Sequence, residues 1–166
     1  LKPLIIILMG SRADLEHCQK IGEACKRFGL ETVLRIGSAH KTAEHALAIL
    51  RHYEADLRPK VFITVAGRSN ALSGFTDGAV SAPVIACPPP GDAFGGADIF
   101  SSIRMPSGVA AGLVLEPVNA ALMAAKFFGQ YDPEIREAVK SFQKSQADKV
   151  ISDDSELNQT DWDHIL

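Results

Sequence analysis

Leu4-Ile5-Ile6-Ile7-Leu8-Met9-Gly10-Ser11 is the stretch that decides the fold. An apolar run without alternation suits a strand covered on both faces, as strands of a parallel sheet are. Helices are therefore expected on both sides of it. Gly10-Ser11 ends the strand. Asp14 is expected to cap a helix whose apolar positions Leu15, Cys18, Ile21, Cys25 and Phe28 recur at spacings of three and four, with Gly29 as its stop.

The same unit then repeats. Thr32-Val33-Leu34-Arg35-Ile36 reads as a second strand, followed by Gly37-Ser38-Ala39-His40-Lys41 and a helix from about Thr42 with Ala43, Ala46, Leu47, Leu50 and Tyr53 inward. Val61 to Ala66 reads as a third strand broken by Gly67-Arg68-Ser69-Asn70. Pro83 to Cys87 reads as a shorter fourth after one intervening helix, and Ala111 to Leu115 as a fifth before a helix begun by Pro117. Strands alternating with helices imply right-handed crossovers and a parallel, doubly wound sheet. The predicted class is α/β, a flavodoxin-like three-layer sandwich. Cys87-Pro88-Pro89-Pro90-Gly91-Asp92-Ala93-Phe94-Gly95-Gly96 holds too much Pro and Gly for regular structure and reads as a functional loop. Asp132-Pro133 starts a long amphipathic C-terminal helix with Ile135, Ala138, Val139 and Phe142 on its apolar side. Residues 1–150 are read as a single domain and residues 151–166 as an acidic tail holding the lone Trp162, expected to fray unless a partner holds it.

Composition narrows the class of function. A chain of 166 residues with 46% apolar residues can close a core without disulfides or a metal. A net charge of -3 argues against a nucleic-acid or anionic membrane surface. No apolar run approaches the ~18 residues of a membrane span, and Leu4 to Met9 is too short for a signal peptide. The three cysteines cannot all pair, and Cys18 and Cys25 would lie about 10 Å apart along a helix, so a reducing, cytoplasmic setting is expected.

In an open parallel sheet the ligand site forms beyond the carboxyl ends of the strands, where the strand order reverses. Three loops converge there: Gly10-Ser11-Arg12-Ala13-Asp14, Ser38-Ala39-His40-Lys41 and Ala66-Gly67-Arg68-Ser69-Asn70. Glycines allow close approach of the backbone, helix N-termini offer free amides, and Ser11, Ser38, Ser69, Arg12, Lys41 and Arg68 add hydroxyls and cations. This set suits a phosphate-bearing small molecule, with Asp14 accepting from ribose hydroxyls. The plainer reading is that the glycines serve tight turns. His40 stands at the mouth of this cleft, and an imidazole exchanges protons near neutral pH, which suits a proton shuttle. The alternative is a histidine that only hydrogen-bonds its loop. His17, His45 and His52 fall on polar or flanking helix faces and His164 in the tail, so all four are expected to be solvated. No metal-ligand spacing is present, and neither a nucleophile elbow nor a Walker loop.

Met9-Gly10-Ser11 with Asp14, Ser38-Ala39-His40-Lys41, Ala66-Gly67-Arg68-Ser69-Asn70, Cys87-Pro88-Pro89 and Met105-Pro106-Ser107-Gly108 resemble, in this order, the phosphoribosylaminoimidazole carboxylase family of purine biosynthesis. The resemblance covers about residues 4 to 150. It implies a flavodoxin-like fold and a homo-oligomer, an octamer or tetramer, with sites between subunits. It implies carboxylation of 5-aminoimidazole ribonucleotide (AIR) to 4-carboxy-AIR, either from free CO2 or, in the mutase branch, by moving a carboxylate from the N5-carboxylated nucleotide. The mutase branch usually has arginine after the second-loop histidine and a further histidine in the third loop. Lys41 and the histidine-free Gly67-Arg68-Ser69-Asn70-Ala71 resemble the CO2-using branch instead. Ala13 departs from the pattern, standing where many members carry serine.

By the same resemblance, Ser11, Asp14, Ser38 and Lys41 hold the phosphoribosyl part, Gly67 and Ser69 line the region of the base and CO2, and His40 moves the C4 proton. No cofactor is implied, because the ring of AIR is an electron-rich enamine able to attack CO2 directly. Two other classes fit the fold alone: an FMN electron carrier, which would show flavin absorption, and a noncatalytic binding module, which would hold AIR without turnover.

Overall fold

The computed structural model describes residues 1–91 and 93–158. Asp92, Trp162 and His164 lie outside the described residues. Five strands form one parallel sheet: β1 (Leu4–Met9), β2 (Glu31–Ile36), β3 (Lys60–Val65), β4 (Val84–Ala86) and β5 (Gly112–Leu113). Their spatial order is β2-β1-β3-β4-β5, so β1 pairs with β2 on one side and β3 on the other, and the chain changes direction across the sheet at that point.

The helices are α1 (Leu15–Lys26), α2 (Ala43–Glu54), α3 (Ala71–Asp77), α4 (Pro117–Phe128) and α5 (Pro133–Asn158). The uniform apolar run of β1 serves two cores at once. Ile5, Ile7 and Met9 pack with residues of α1, α4 and α5, whereas Leu4, Ile6 and Leu8 pack with Ile49 and Leu50 of α2 and Leu72 of α3. This is the pleat expressed chemically, since alternate side chains leave a strand on opposite faces. The three layers and the α/β class follow.

Local signals explain the ends of elements. α1 closes at Gly29, whose φ of +71° is a left-handed stop, with the Leu30 N–H returning to the Cys25 carbonyl at 3.2 Å. Asp132 Oδ1 accepts from the N–H groups of Glu134 and Ile135, at 3.0 and 3.2 Å, and starts α5. Gly37 ends β2 where α2 passes close: a Cβ there would stand 3.1 Å from Ala46 Cα. The second loop is thereby drawn against its own helix.

Several expectations are corrected. Asp14 stands at the start of α1 without a side-chain capping bond, because a 3-10 turn over Arg12–Asp14 comes first, capped by the Ser11 hydroxyl. Ala43 is exposed and Ile49 takes its place in the core, since α2 begins one turn too far out for Ala43 to reach the sheet. The segment after Pro90 is not wholly irregular, for 3-10 conformation runs over Ala93–Ser102. The stretch Ser152-Asp153-Asp154-Ser155-Glu156 is not frayed but continues α5 to Asn158. Lys144 to Asp148 at 2.6 Å and Lys149 to Asp153 at 2.9 Å are i,i+4 pairs that support a helix with little packing beneath it. His17 is half-buried, not solvated, with Nε2 at 3.5 Å from Cys87 Sγ.

Candidate active site

The carboxyl ends of β1, β2 and β3 open onto a cavity of about 420 Å³. Ser11, Asp14, Ser38, His40, Lys41, Gly67 and Ser69 all line it, although they come from three separate loops. Backbone bonds set this convergence: the Gly10 N–H reaches the Val65 carbonyl at 2.9 Å and the Gly37 N–H reaches the Met9 carbonyl at 3.0 Å. Each strand end is thus tied to its neighbour just before its loop departs.

The loops are shaped by their own hydroxyls. Ser11 Oγ accepts from the Ala13 N–H at 3.2 Å, and Ser38 Oγ accepts from the Lys41 N–H at 3.2 Å. Both hydroxyls keep their hydrogen for a ligand oxygen. Thr42 Oγ1 accepts from the Ser38 N–H at 3.0 Å, which folds the second loop back onto the start of α2 and leaves His40 and Lys41 exposed at its tip. Asp14, just ahead of α1, and Lys41, two residues ahead of α2, both line the cavity, so two helices begin beside it. Arg12 lies outside the lining and Ala13 within it.

Asp14 is partly buried, and that burial raises its carboxyl above the ordinary carboxylate range, against the opposing influence of His17 and a backbone hydrogen bond from Ser11. Burial also lowers His17 below the ordinary imidazole value. Cys18, Cys25 and Cys87 are free and buried, and burial pushes each thiol up to about 12. None of them is a thiolate nucleophile at neutral pH. Among the described residues no cluster of His, Cys, Asp and Glu could hold a metal ion, and no helix is long and apolar enough to cross a membrane.

A larger cavity of about 540 Å³ adjoins the first and shares Ala66, Gly67 and Arg68 with it. Pro88, Pro89, Ile99 and Leu115 make much of its wall, and among the described residues no histidine, serine or lysine lines it. The smaller cavity holds the hydroxyls and the imidazole. The Cys87-Pro88-Pro89 motif contributes its prolines to the larger cavity, while Met105 lies against α3, its Sδ 3.0 Å from where a Cβ on Gly74 would stand.

The profile of a family described as AIR carboxylase matches residues 4–149. The chain belongs to the AIR carboxylase family. Phosphoribosylaminoimidazole carboxylase of Treponema denticola is 60% identical over 157 residues, covering 95% of this chain and 99% of that protein. The Archaeoglobus fulgidus protein of the same name is 55% identical over 152 residues, covering 92% and 83%. The mouse bifunctional phosphoribosylaminoimidazole carboxylase/phosphoribosylaminoimidazole succinocarboxamide synthetase is 46% identical over 75% of this chain, which spans 29% of that longer protein. Among solved structures, Treponema denticola PurE superposes with a TM-score of 0.93 at 60% identity, over 95% of this chain and all of that one. The flavodoxin-like fold expected of the family is the fold observed.

Three residues that hold the site's loops carry little signal in the sequence. Thr42 reads only as a helix start, although threonine at such a boundary commonly bonds a nearby backbone amide. Asn70, 2% exposed, anchors the third loop, and its signal was an asparagine just ahead of a helix. Ser101 bonds that loop from 31 residues away and has no local signal.

Proposed function

We propose that this chain carboxylates AIR with free CO2, giving 4-carboxy-AIR in purine biosynthesis. The observation that carries the reading is the meeting of His40, two serine hydroxyls, Lys41 and Asp14 in one cavity at two helix N-termini. A phosphate suits the amides and hydroxyls of the first two loops together with Lys41, and a ribose suits the acceptor oxygens of Asp14. The base then lies toward Gly67 and Ser69, beside His40.

The chemistry needs few parts. The enamine electrons of AIR form a bond from C4 to the carbon of CO2, and one C–O π pair moves onto oxygen as carboxylate. C4 is then tetrahedral and still carries its hydrogen. His40 takes that proton, and the released C–H pair restores the aromatic ring. Holding both reactants in reacting geometry supplies much of the rate. Donors of the third loop stabilise the developing carboxylate.

Lys41 and the histidine-free third loop favour CO2 over the N5-carboxylated nucleotide as the carboxyl source. The deciding assay supplies AIR at varied dissolved CO2, compares it with the N5-carboxylated nucleotide, and follows 4-carboxy-AIR. A rate that rises with CO2 is expected. Turnover of the N5-carboxylated nucleotide at negligible CO2 would select the mutase.

The working unit is a homo-oligomer, an octamer or tetramer, in the cytoplasm. Support for assembly is apolar surface that one subunit leaves open: Ile36, 45% exposed on the edge strand β2, and Val150 and Ile151, 68% and 64% exposed on the far half of α5. Three free, buried cysteines fit a reducing compartment. Sedimentation at micromolar concentration is expected to give several times 17.8 kDa, and a stable monomer would overturn the assembly.

A further inference from the structure

Among the described residues Arg68 alone combines a side chain with a positive φ, +57°. Such backbone is disfavoured when a Cβ is present and persists where the surroundings hold it, which is why it gathers at functional loops. Here the surroundings are the end of the 3-10 segment. Ser101 Oγ accepts from the Asn70 N–H at 2.8 Å. Its one hydrogen has two carbonyl acceptors within reach, Asp98 at 2.7 Å and Arg68 at 3.3 Å. The short bond to Asp98 sets the rotation of the hydroxyl and so keeps a lone pair aimed at Asn70. The next residue completes the grip, because Asn70 Nδ2 donates to Ser102 Oγ at 2.8 Å in the interior while Asn70 Oδ1 accepts from the Ser73 N–H at 3.3 Å.

The turn Arg68-Ser69-Asn70 is thus held by Ser101 and Ser102 at the end of the 3-10 segment, more than thirty residues further along the chain. Gly67 and Ser69, the cavity residues assigned to the base and CO2 in the carboxylase reading, sit immediately before and inside the clamp. The phosphoribosyl residues stand on other loops.

We propose that Ser101 is a positioning residue, whose hydroxyl holds the strained turn so that Gly67 and Ser69 face the carboxylate forming on the substrate. The inference rests on the carboxylase reading and predicts a particular kinetic signature. Donors to the new carboxylate act in the transition state, whereas the nucleotide is anchored elsewhere, so loss of the clamp falls on kcat and not on KM.

Ser101 is exposed, and its replacement threatens no core. Ser101→Ala is expected to lower kcat about tenfold with KM for AIR unchanged within about twofold, the scale of a small misplacement of reacting groups. Ser101→Thr keeps the hydroxyl and should restore kcat to within about threefold of the parent. Amide exchange at Asn70, measured without substrate, should quicken in the alanine variant and return toward the parent rate in the threonine variant. An unchanged kcat in Ser101→Ala, a KM that rises in step with the loss, or threonine failing as badly as alanine would overturn the catalytic role. Unchanged exchange at Asn70 would overturn the clamp itself. A parent enzyme that does not carboxylate AIR would instead overturn the carboxylase reading, and the exchange measurement would still decide the clamp.

Discussion

His40→Asn is expected to bind AIR within a few-fold of the parent and to lose about 100-fold or more of turnover, equivalent to about 2.7 kcal/mol of transition-state stabilisation. Asparagine keeps roughly the size of the imidazole and a hydrogen-bonding end but cannot carry the proton away. His40 is exposed at the loop tip, so the substitution leaves both cores untouched. Lys41→Ala supplies the contrast. Its assigned partner, the phosphate, keeps its charge through the reaction, so its loss should raise KM far more than it lowers kcat. Forward carboxylation is an incomplete test, because CO2 capture could limit the rate. Decarboxylation of 4-carboxy-AIR is cleaner, since microscopic reversibility requires the same group to return the proton to C4. A His40→Asn variant that decarboxylates at the parent rate would remove His40 from the mechanism.

Why the site was legible at all follows from β1, β2 and β3. Each is a short apolar run ended by a loop with Gly and Ser, and a parallel sheet sends all such loops to one edge. Local sequence therefore placed seven residues in one cavity without any knowledge of distance. What it missed depends on contacts between distant segments. The apolar residues of β2 give no sign of its place, yet Leu34 and Ile36 are 37% and 45% exposed, because β2 is at the edge of the sheet. Edge position is a property of strand order, which no window of a few residues contains. His17 reads as solvated because its partner, Cys87, arrives 70 residues later. The end of α5 was missed for a different reason: its composition is that of a disordered tail, but its charges are spaced four apart, and spacing outweighs composition on a helix.

The other large effect is expected in the core that carries the third loop. Phe62 lies fully buried at the centre of β3, between β1 and β4, and packs in the cluster of Ile6, Leu8, Leu50, Leu72 and Val84. Phe62→Ala removes the ring from a site walled by two strands and two helices, and a hydrogen-bonded sheet cannot collapse into the space. The cost should therefore approach the upper part of the ~3–5 kcal/mol seen for such truncations. Against a typical domain stability of ~5–15 kcal/mol this is a large share, and β3 is the strand from which Gly67 and Ser69 emerge. Urea unfolding should show a much lower midpoint with an unchanged slope, the mark of lost stability without a change in the surface exposed. Leu57→Ala provides the control, since Leu57 is 92% exposed and should change stability by no more than ~0.5 kcal/mol. Equal midpoints for the two variants would contradict the assignment of Phe62 to a rigid core. If instead Phe62→Ala is much the weaker and yet keeps kcat in dilute urea below its own midpoint, then the three loops hold their geometry as long as the sheet is folded, and stability and catalysis are separable in this domain.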